Sequence, residues 1–307
     1  MTLKNTLLSA VMWCAMSGTG LSYAASAPDG TDIYMASLSK SSSGGYQAGK
    51  FEQVTTRKGY DNQPYFLPNG KGLLYTAMLV NKDGSYQSDS FEYQFATKKH
   101  VNLTNTPTSE YSPLVTPDGQ YFSTIVVRDN EQQLWAQPYG NQAKAYRINN
   151  SEPVGYHAWG VEGELVMFVL GEPHTLQYQP SSQVAAKVVA KNIGRSLRYV
   201  SARRAFSFSY QKADGTWYLA EYLPQSDKVV DLTPLLVGSG YFTWLDDNTV
   251  ISSTGGQIHQ WHYQHKGKST VKHWQLWLDV SDSCATQVSR LAVDADGSRI
   301  AFVCDER

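Results

Sequence analysis

Six stretches of this chain can be laid on one another, and that repetition limits the fold more than any single residue does. In the first two the match is plain. Residues 64–70 (Pro-Tyr-Phe-Leu-Pro-Asn-Gly) lead into the apolar run 73–75, and residues 113–119 (Pro-Leu-Val-Thr-Pro-Asp-Gly) lead into 122–125. The other four copies are degraded: 157–159 into 166–168, 197–200 into 205–208, 242–245 into 250–251, and 291–293 into 300–302. Pro64, Pro113, His157, Leu197, Phe242 and Leu291 then occupy equivalent places, 40 to 49 residues apart. A period in this range, built of short strands and turn residues at fixed offsets, indicates a propeller or a similar array.

The turn in each copy has a physical reason. Proline presets φ for the first corner, glycine accepts positive φ at the end, and Asn69 or Asp118 between them can accept a backbone N–H. Alternating apolar and polar residues on either side read as an antiparallel hairpin. Two more strands follow each hairpin: 90–95 and 99–103, 133–139 and 145–148, 220–222 and 228–232, 257–263 and 271–276. Each unit is therefore a four-stranded meander. The last unit has only two strands before the chain stops at Arg307, and the missing pair stands at the other end, in 32–38 and 51–55. The expected fold is all-β: a six-bladed β-propeller of four-stranded antiparallel blades, its ring closed by a composite blade from 30–56 and 287–307. Residues 41–45 (Ser-Ser-Ser-Gly-Gly) read as a flexible connection inside that blade.

Residues 1–24 have the pattern of a signal peptide. Lys4 supplies a basic start, residues 7–16 a short apolar stretch, and Ser22-Tyr23-Ala24 a small-residue cleavage site. Cys14 lacks the small neighbours of a lipobox. The remaining 25–307 form one propeller domain, with no later segment long and apolar enough for a membrane helix. The expected location is periplasmic or secreted. A net charge of −1 leaves no electrostatic footprint for nucleic acid, and a closed ring reads as a monomer. Export places Cys284 and Cys304 in an oxidising compartment. They either form a disulfide, for which the segment before Val288 must curl back, or remain as two buried thiols.

The run 102–113 (Asn-Leu-Thr-Asn-Thr-Pro-Thr-Ser-Glu-Tyr-Ser-Pro), followed by Thr116-Pro117-Asp118-Gly119, resembles the repeat of TolB-like propellers. The likeness is strong in the first two blades and weak in the third to fifth. It implies a six-bladed ring that works as a binding module or scaffold. TolB itself carries an additional N-terminal α/β domain, for which this length leaves no room, so a Tol role is not carried over.

A propeller usually works through the mouth of its channel. Residues before and along the innermost strands hold that position: Asp61, Glu110, Tyr156, His157, Arg195, Ser196, Arg198, Tyr241 and Arg290. Acids on two sectors and arginines on others would suit a zwitterionic or peptide-like ligand, with arginine gripping a carboxylate. The same charges can instead pair with one another. The expected partners are a periplasmic or cell-envelope protein, a peptide or a small polar ligand, with no cofactor. A second histidine group, His259, His262, His265 and His273, matches no closed zinc pattern. No Gly-x-Ser-x-Gly elbow or phosphate-cradling loop occurs. The alternative function is a propeller hydrolase of lactonase or esterase type, holding a divalent cation such as calcium through Asp61, Asn62 and Glu110. The degraded third and fourth repeats, where proline gives way to histidine and arginine, are the expected seat of specificity.

Overall fold

The computed structural model describes residues 29–42, 44–140, 143–151, 153–263 and 273–305. The expected signal peptide lies outside these residues. Six antiparallel sheets succeed one another around a ring. Blade 1 comprises Asp61–Phe66, Gly72–Val80, Tyr86–Gln94 and Lys99–Asn102; blade 2, Ser109–Val115, Tyr121–Arg128, Glu131–Pro138 and Tyr146–Arg147. Blade 3 comprises Val154–Trp159, Leu165–Val169, Thr175–Gln179 and Lys187–Lys191; blade 4, Ile193–Val200, Ala205–Gln211, Trp217–Leu223 and Lys228–Pro234. Blade 5 comprises Phe242–Trp244, Thr249–Thr254, Gln257–His262 and Gln275–Asp279.

The sixth blade is composite. Val288–Val293 and Arg299–Asp305 supply its inner half, and Thr31–Lys40 pairs antiparallel with the latter from Thr31↔Asp305 to Ser37↔Arg299. Its outer strand is split. Tyr46–Ala48 pairs with one end of Thr31–Lys40 and Glu52–Gln53 with its middle. The expected single strand over 51–55 is thus shorter than its sequence pattern implied. Between the pieces, Gly49 lies where a Cβ would crowd Ser37, and its N–H bonds Ser37 O at 2.8 Å. The link expected to be flexible is a hairpin turn in its described part, with Ser41 N–H donating to Gly45 O at 2.8 Å. In blade 5 the outer strand begins at Gln275, later than expected, and residues 264–272 lie outside the described set.

The repeated turns are alike in detail. Gly70, Gly119 and Gly297 have φ of 69°, 69° and 68°, and each donates its N–H to the residue three before it. Asn69, Asp118 and Asp296 each accept the N–H two residues on, at 2.9, 3.1 and 3.1 Å. The side chain replaces a backbone acceptor, which is why Asx-Gly recurs at this corner.

The apolar core is divided among the blade interfaces. One cluster joins blades 3 and 4 through Phe168, Phe206 and Phe208, and another joins blades 6 and 1 through Ile33, Leu73 and Val303. The remaining clusters fill the other four junctions. Polar clasps accompany them. Trp159 of blade 3 donates to Ser123 Oγ of blade 2 at 2.8 Å, and the equivalent Trp244 of blade 5 donates to Ser207 Oγ of blade 4 at 2.8 Å. Each part-buried indole N–H finds its acceptor in the preceding blade, so neighbouring wedges are fixed in register.

Cys284 and Cys304 form a disulfide. The lead-in to blade 6 curls back, with Cys284 N–H donating to Val280 O at 2.7 Å, while Val288 stands opposite Cys304 in the ladder. The bond closes a loop spanning 20 residues. Cys284→Ser is expected to lower the unfolding free energy by about 3 kcal/mol. Urea denaturation with and without reductant checks this, and reductant should leave the variant unchanged.

Candidate binding site at the channel mouth

The innermost strands do not run regularly into the mouth. In five blades each carries a bulge near its start, between Asn62 and Tyr65, Tyr111 and Leu114, Val154 and Tyr156, Ile193 and Leu197, and Val288 and Arg290. A bulge re-aims the side chains beside it. In blade 4 the bulge holds Gly194, Arg195 and Ser196. A Cβ on Gly194 would collide with Ser209 Oγ and lie 3.2 Å from the Trp217 ring, so glycine permits the close approach that leaves Arg195 exposed.

Arginines and tyrosines from different sectors meet there. Arg290 of blade 6 donates through Nη2 to Tyr156 Oη of blade 3 at 3.0 Å, spanning the channel. Its guanidinium also lies over the Tyr241 ring, 4.3 Å from the centroid, and 5.3 Å from that of Tyr156. Arg195 faces the same two phenols. Burial works to raise the pKa of Tyr156, but the Arg290 and Arg195 charges outweigh it and hold the phenol below its ordinary range. Burial likewise works against the charge of Arg290, and the phenols of Tyr156, Tyr241 and Tyr60 more than offset it. Charge and ring stabilise one another here because little water intervenes.

Arg198 does a different job. It donates to Thr243 Oγ1 of blade 5 at 3.1 Å, to Leu197 O at 2.8 Å and to Leu291 O of blade 6 at 3.1 Å. Burial and the nearby Arg290 lower its pKa to about 10, so it stays charged at neutral pH. With these three acceptors engaged, Arg198 ties blades 4, 5 and 6 together beneath the mouth.

The other residues expected at the mouth are engaged elsewhere. Asp61 is fully buried and held by Arg57, whose Nε and Nη2 donate to Oδ1 at 2.9 and 2.6 Å. Glu110 is buried between blades 1 and 2, where Thr106 and Thr108 hydroxyls donate to Oε1 at 2.5 and 2.6 Å. Burial raises its pKa, and the threonine hydroxyls oppose that rise. Ser196 bonds the Phe242 backbone, accepting from its N–H and donating to its O. His157 turns away from the channel. Its Nε2 lies 2.6 Å from Ser123 Oγ of blade 2, while Tyr156, one residue earlier, takes the channel side. Strand alternation separates the two, an offset that their shared membership of the repeat conceals.

Of the outer histidines, His259 stands opposite Leu276, and His273 precedes the strand expected to hold it. His265 is outside the described residues. Among the described residues, no three His, Cys, Asp or Glu side chains converge as metal ligands. Sequence reasoning missed Arg57 as the partner of Asp61, and Tyr60 as a third aromatic neighbour of Arg290. The only signal for Arg57 was its spacing of four from Asp61, which carries no such meaning in a loop.

Burial lowers the pKa of His157 to about 3. The unfolded chain takes up this proton below about pH 6.5, while the folded one does not until far lower. Stability from this residue is therefore present above pH 6.5 and lost as pH falls towards 3, by up to about 1.4 kcal/mol per unit. Urea midpoints between pH 6.5 and 4.5 should fall more steeply in the wild type than in His157→Gln. Equal slopes would show that the histidine is not excluded from water.

No protein-family profile matches the chain. No curated protein matches it either. Solved structures do. A TolB-type chain from Agrobacterium tumefaciens is 12% identical with a TM-score of 0.66, the alignment covering 91% of this chain and 99% of that one. TolB from Acinetobacter baumannii is 10% identical with a TM-score of 0.58, covering 89% of this chain and 64% of that one. An oligogalacturonate lyase in complex with manganese is 12% identical with a TM-score of 0.52, covering 84% and 80%. The fold is therefore that of the TolB-like six-bladed propellers. The chain spans less than two thirds of the A. baumannii protein.

Proposed function

We propose that this protein is an exported, non-catalytic binding module that takes an anionic ligand at its channel mouth. The observation that carries this reading is the state of Arg195 and Arg290. Both face the mouth, and among the described residues neither forms an ion pair with a carboxylate. Arg290 gives one of its five N–H donors to the Tyr156 phenol. A carboxylate approaching from solvent meets two guanidiniums already positioned by aromatic rings, a bidentate-capable arrangement. The zwitterionic ligand suggested by the sequence is narrowed to an anionic one, since Asp61 and Glu110 are occupied within the fold.

Export to the periplasm or the medium rests on the N-terminal pattern and agrees with the Cys284–Cys304 bond. Among the described residues no helix is long and apolar enough to cross a membrane. The hydrolase reading has less support. Asp61, one of its proposed cation ligands, is held by Arg57, and the arginines of the mouth would repel a divalent cation.

Thermal unfolding at constant ionic strength tests the choice. Citrate at about ten times its dissociation constant should add roughly 1.4 kcal/mol and raise Tm by about 2–4 °C. Spermidine should not. The citrate effect should vanish in Arg195→Ala and Arg290→Met. A chelator-sensitive rise with calcium, unaffected by either substitution, would favour the hydrolase instead.

A further inference from the structure

The rim of the mouth is apolar in places where the local backbone demands no such residue. Residues 236–239 form a tight turn closed by Ser239 N–H donating to Leu236 O at 3.0 Å, with Gly238 at φ +81°. Val237 occupies the first corner of that turn and is 90% exposed. This corner accepts most residue types and is usually polar on a surface. The same segment runs on to Tyr241, the ring beneath Arg290. Trp217, 39% exposed, stands against the backbone of Gly194, next to Arg195 in the chain. Trp217 thus packs against the residue before Arg195, and Val237 stands four residues before Tyr241, the ring that Arg195 and Arg290 share. In blade 1, across the ring, Val80 and Tyr86 face each other at the tip of a hairpin, 67% and 44% exposed.

All four side chains are on hairpin tips or inter-blade links that share the mouth face. Scattered surface hydrophobes need no explanation, but Trp217 and Val237 stand on the elements that carry Arg195 and Tyr241, so apolar surface and an unneutralised charge share one rim. Arg198 adds a second constraint, because its bond to Leu291 O ties sectors together beneath the cluster. A ligand is met by a floor, so the geometry favours an end or a side chain reaching down rather than a chain threaded through.

We propose that the mouth face docks a protein partner through an acidic residue or C-terminal carboxylate flanked by aliphatic side chains, the carboxylate entering between Arg195 and Arg290 and the aliphatic groups seating on Trp217 and Val237. Charge complementarity selects this occupant. A nucleic acid or a cationic peptide offers the wrong chemistry to one end of the site or the other. Aliphatic seating explains why Trp217 and Val237 stay exposed beside a charged group. This inference rests on the anion-binding reading above and adds to it the kind of molecule that carries the anion.

Selection of two phage-displayed random dodecapeptide libraries on the purified protein, one fused through the peptide N-terminus so that its C-terminus is free, tests it, with enriched peptides then synthesised and their affinities measured by calorimetry. The expected consensus is an acidic residue or free C-terminus within two positions of Leu, Ile or Val. Affinity should fall at least tenfold in Arg195→Ala and about fivefold or more in Val237→Ser, an exposed turn position whose substitution leaves the fold intact. An acidic consensus without aliphatic neighbours, indifferent to Val237→Ser, would overturn the docking surface while leaving anion binding in place. Peptides enriched without acids would overturn it as well. So would no enrichment by a protein that citrate still stabilises, or a self-association, seen by sedimentation, that Val237→Ser abolishes. Loss of the citrate effect itself would instead remove the underlying anion site.

Discussion

Everything in this molecule depends on the pairing of Thr31–Lys40 with Arg299–Asp305. Each blade buries its faces only against its two neighbours, so an open ring would expose the faces at either side of the break. The pairing joins the first described strand to the last and lets the cluster around Ile33, Ala301 and Val303 fill the junction with blade 1. It also fixes where Arg290 stands, since the strand that carries Arg290 is laddered to Arg299–Asp305. The reach of Arg290 across the channel to Tyr156 presupposes a closed ring. The disulfide reinforces the same place, attaching the lead-in of the composite blade to its second strand.

The mouth follows from the ring by way of the bulges. Without them the inner strands would alternate regularly, sending each side chain into one interface or the other. The bulges at 155, 194–196 and 289 break that alternation where the strands begin. Tyr156, Arg195 and Arg290 consequently come together from three separate blades. Aromatic rings take the place of carboxylates as their neighbours, which keeps the guanidiniums ordered without neutralising them. Buried carboxylates are treated in the opposite way. Asp61 and Glu221 each have an arginine, Arg57 and Arg203, while Glu110 is held by hydroxyl groups.

Much of the architecture was legible in the sequence because it is written in turn chemistry. A Pro-Asx-Gly corner needs proline's φ, an Asx acceptor and a glycine in the left-handed region, and no other residue triplet supplies all three as well. The two clean copies therefore announced the period, and the shortfall of strands at one end announced the composite blade. The site was less legible. Repeat position identifies which residues begin an inner strand, but a single inserted residue decides which of two neighbours faces the channel. Tyr156 and His157 differ by one place and end on opposite sides. Asp61 and Glu110 have the right position and the wrong surroundings: their partners, Arg57 and the threonines at 106 and 108, come from inter-blade links where no periodicity guides the reader.

The central claim is that a carboxylate binds between Arg195 and Arg290 above a floor made by Arg198. A crystal structure of the protein grown with citrate tests it most directly. A citrate carboxylate should lie within hydrogen-bond distance of both guanidiniums, with the Arg198 bond to Leu291 O unbroken. Citrate bound only elsewhere, or Arg290 turned to pair with Asp61 or Glu110, would contradict it.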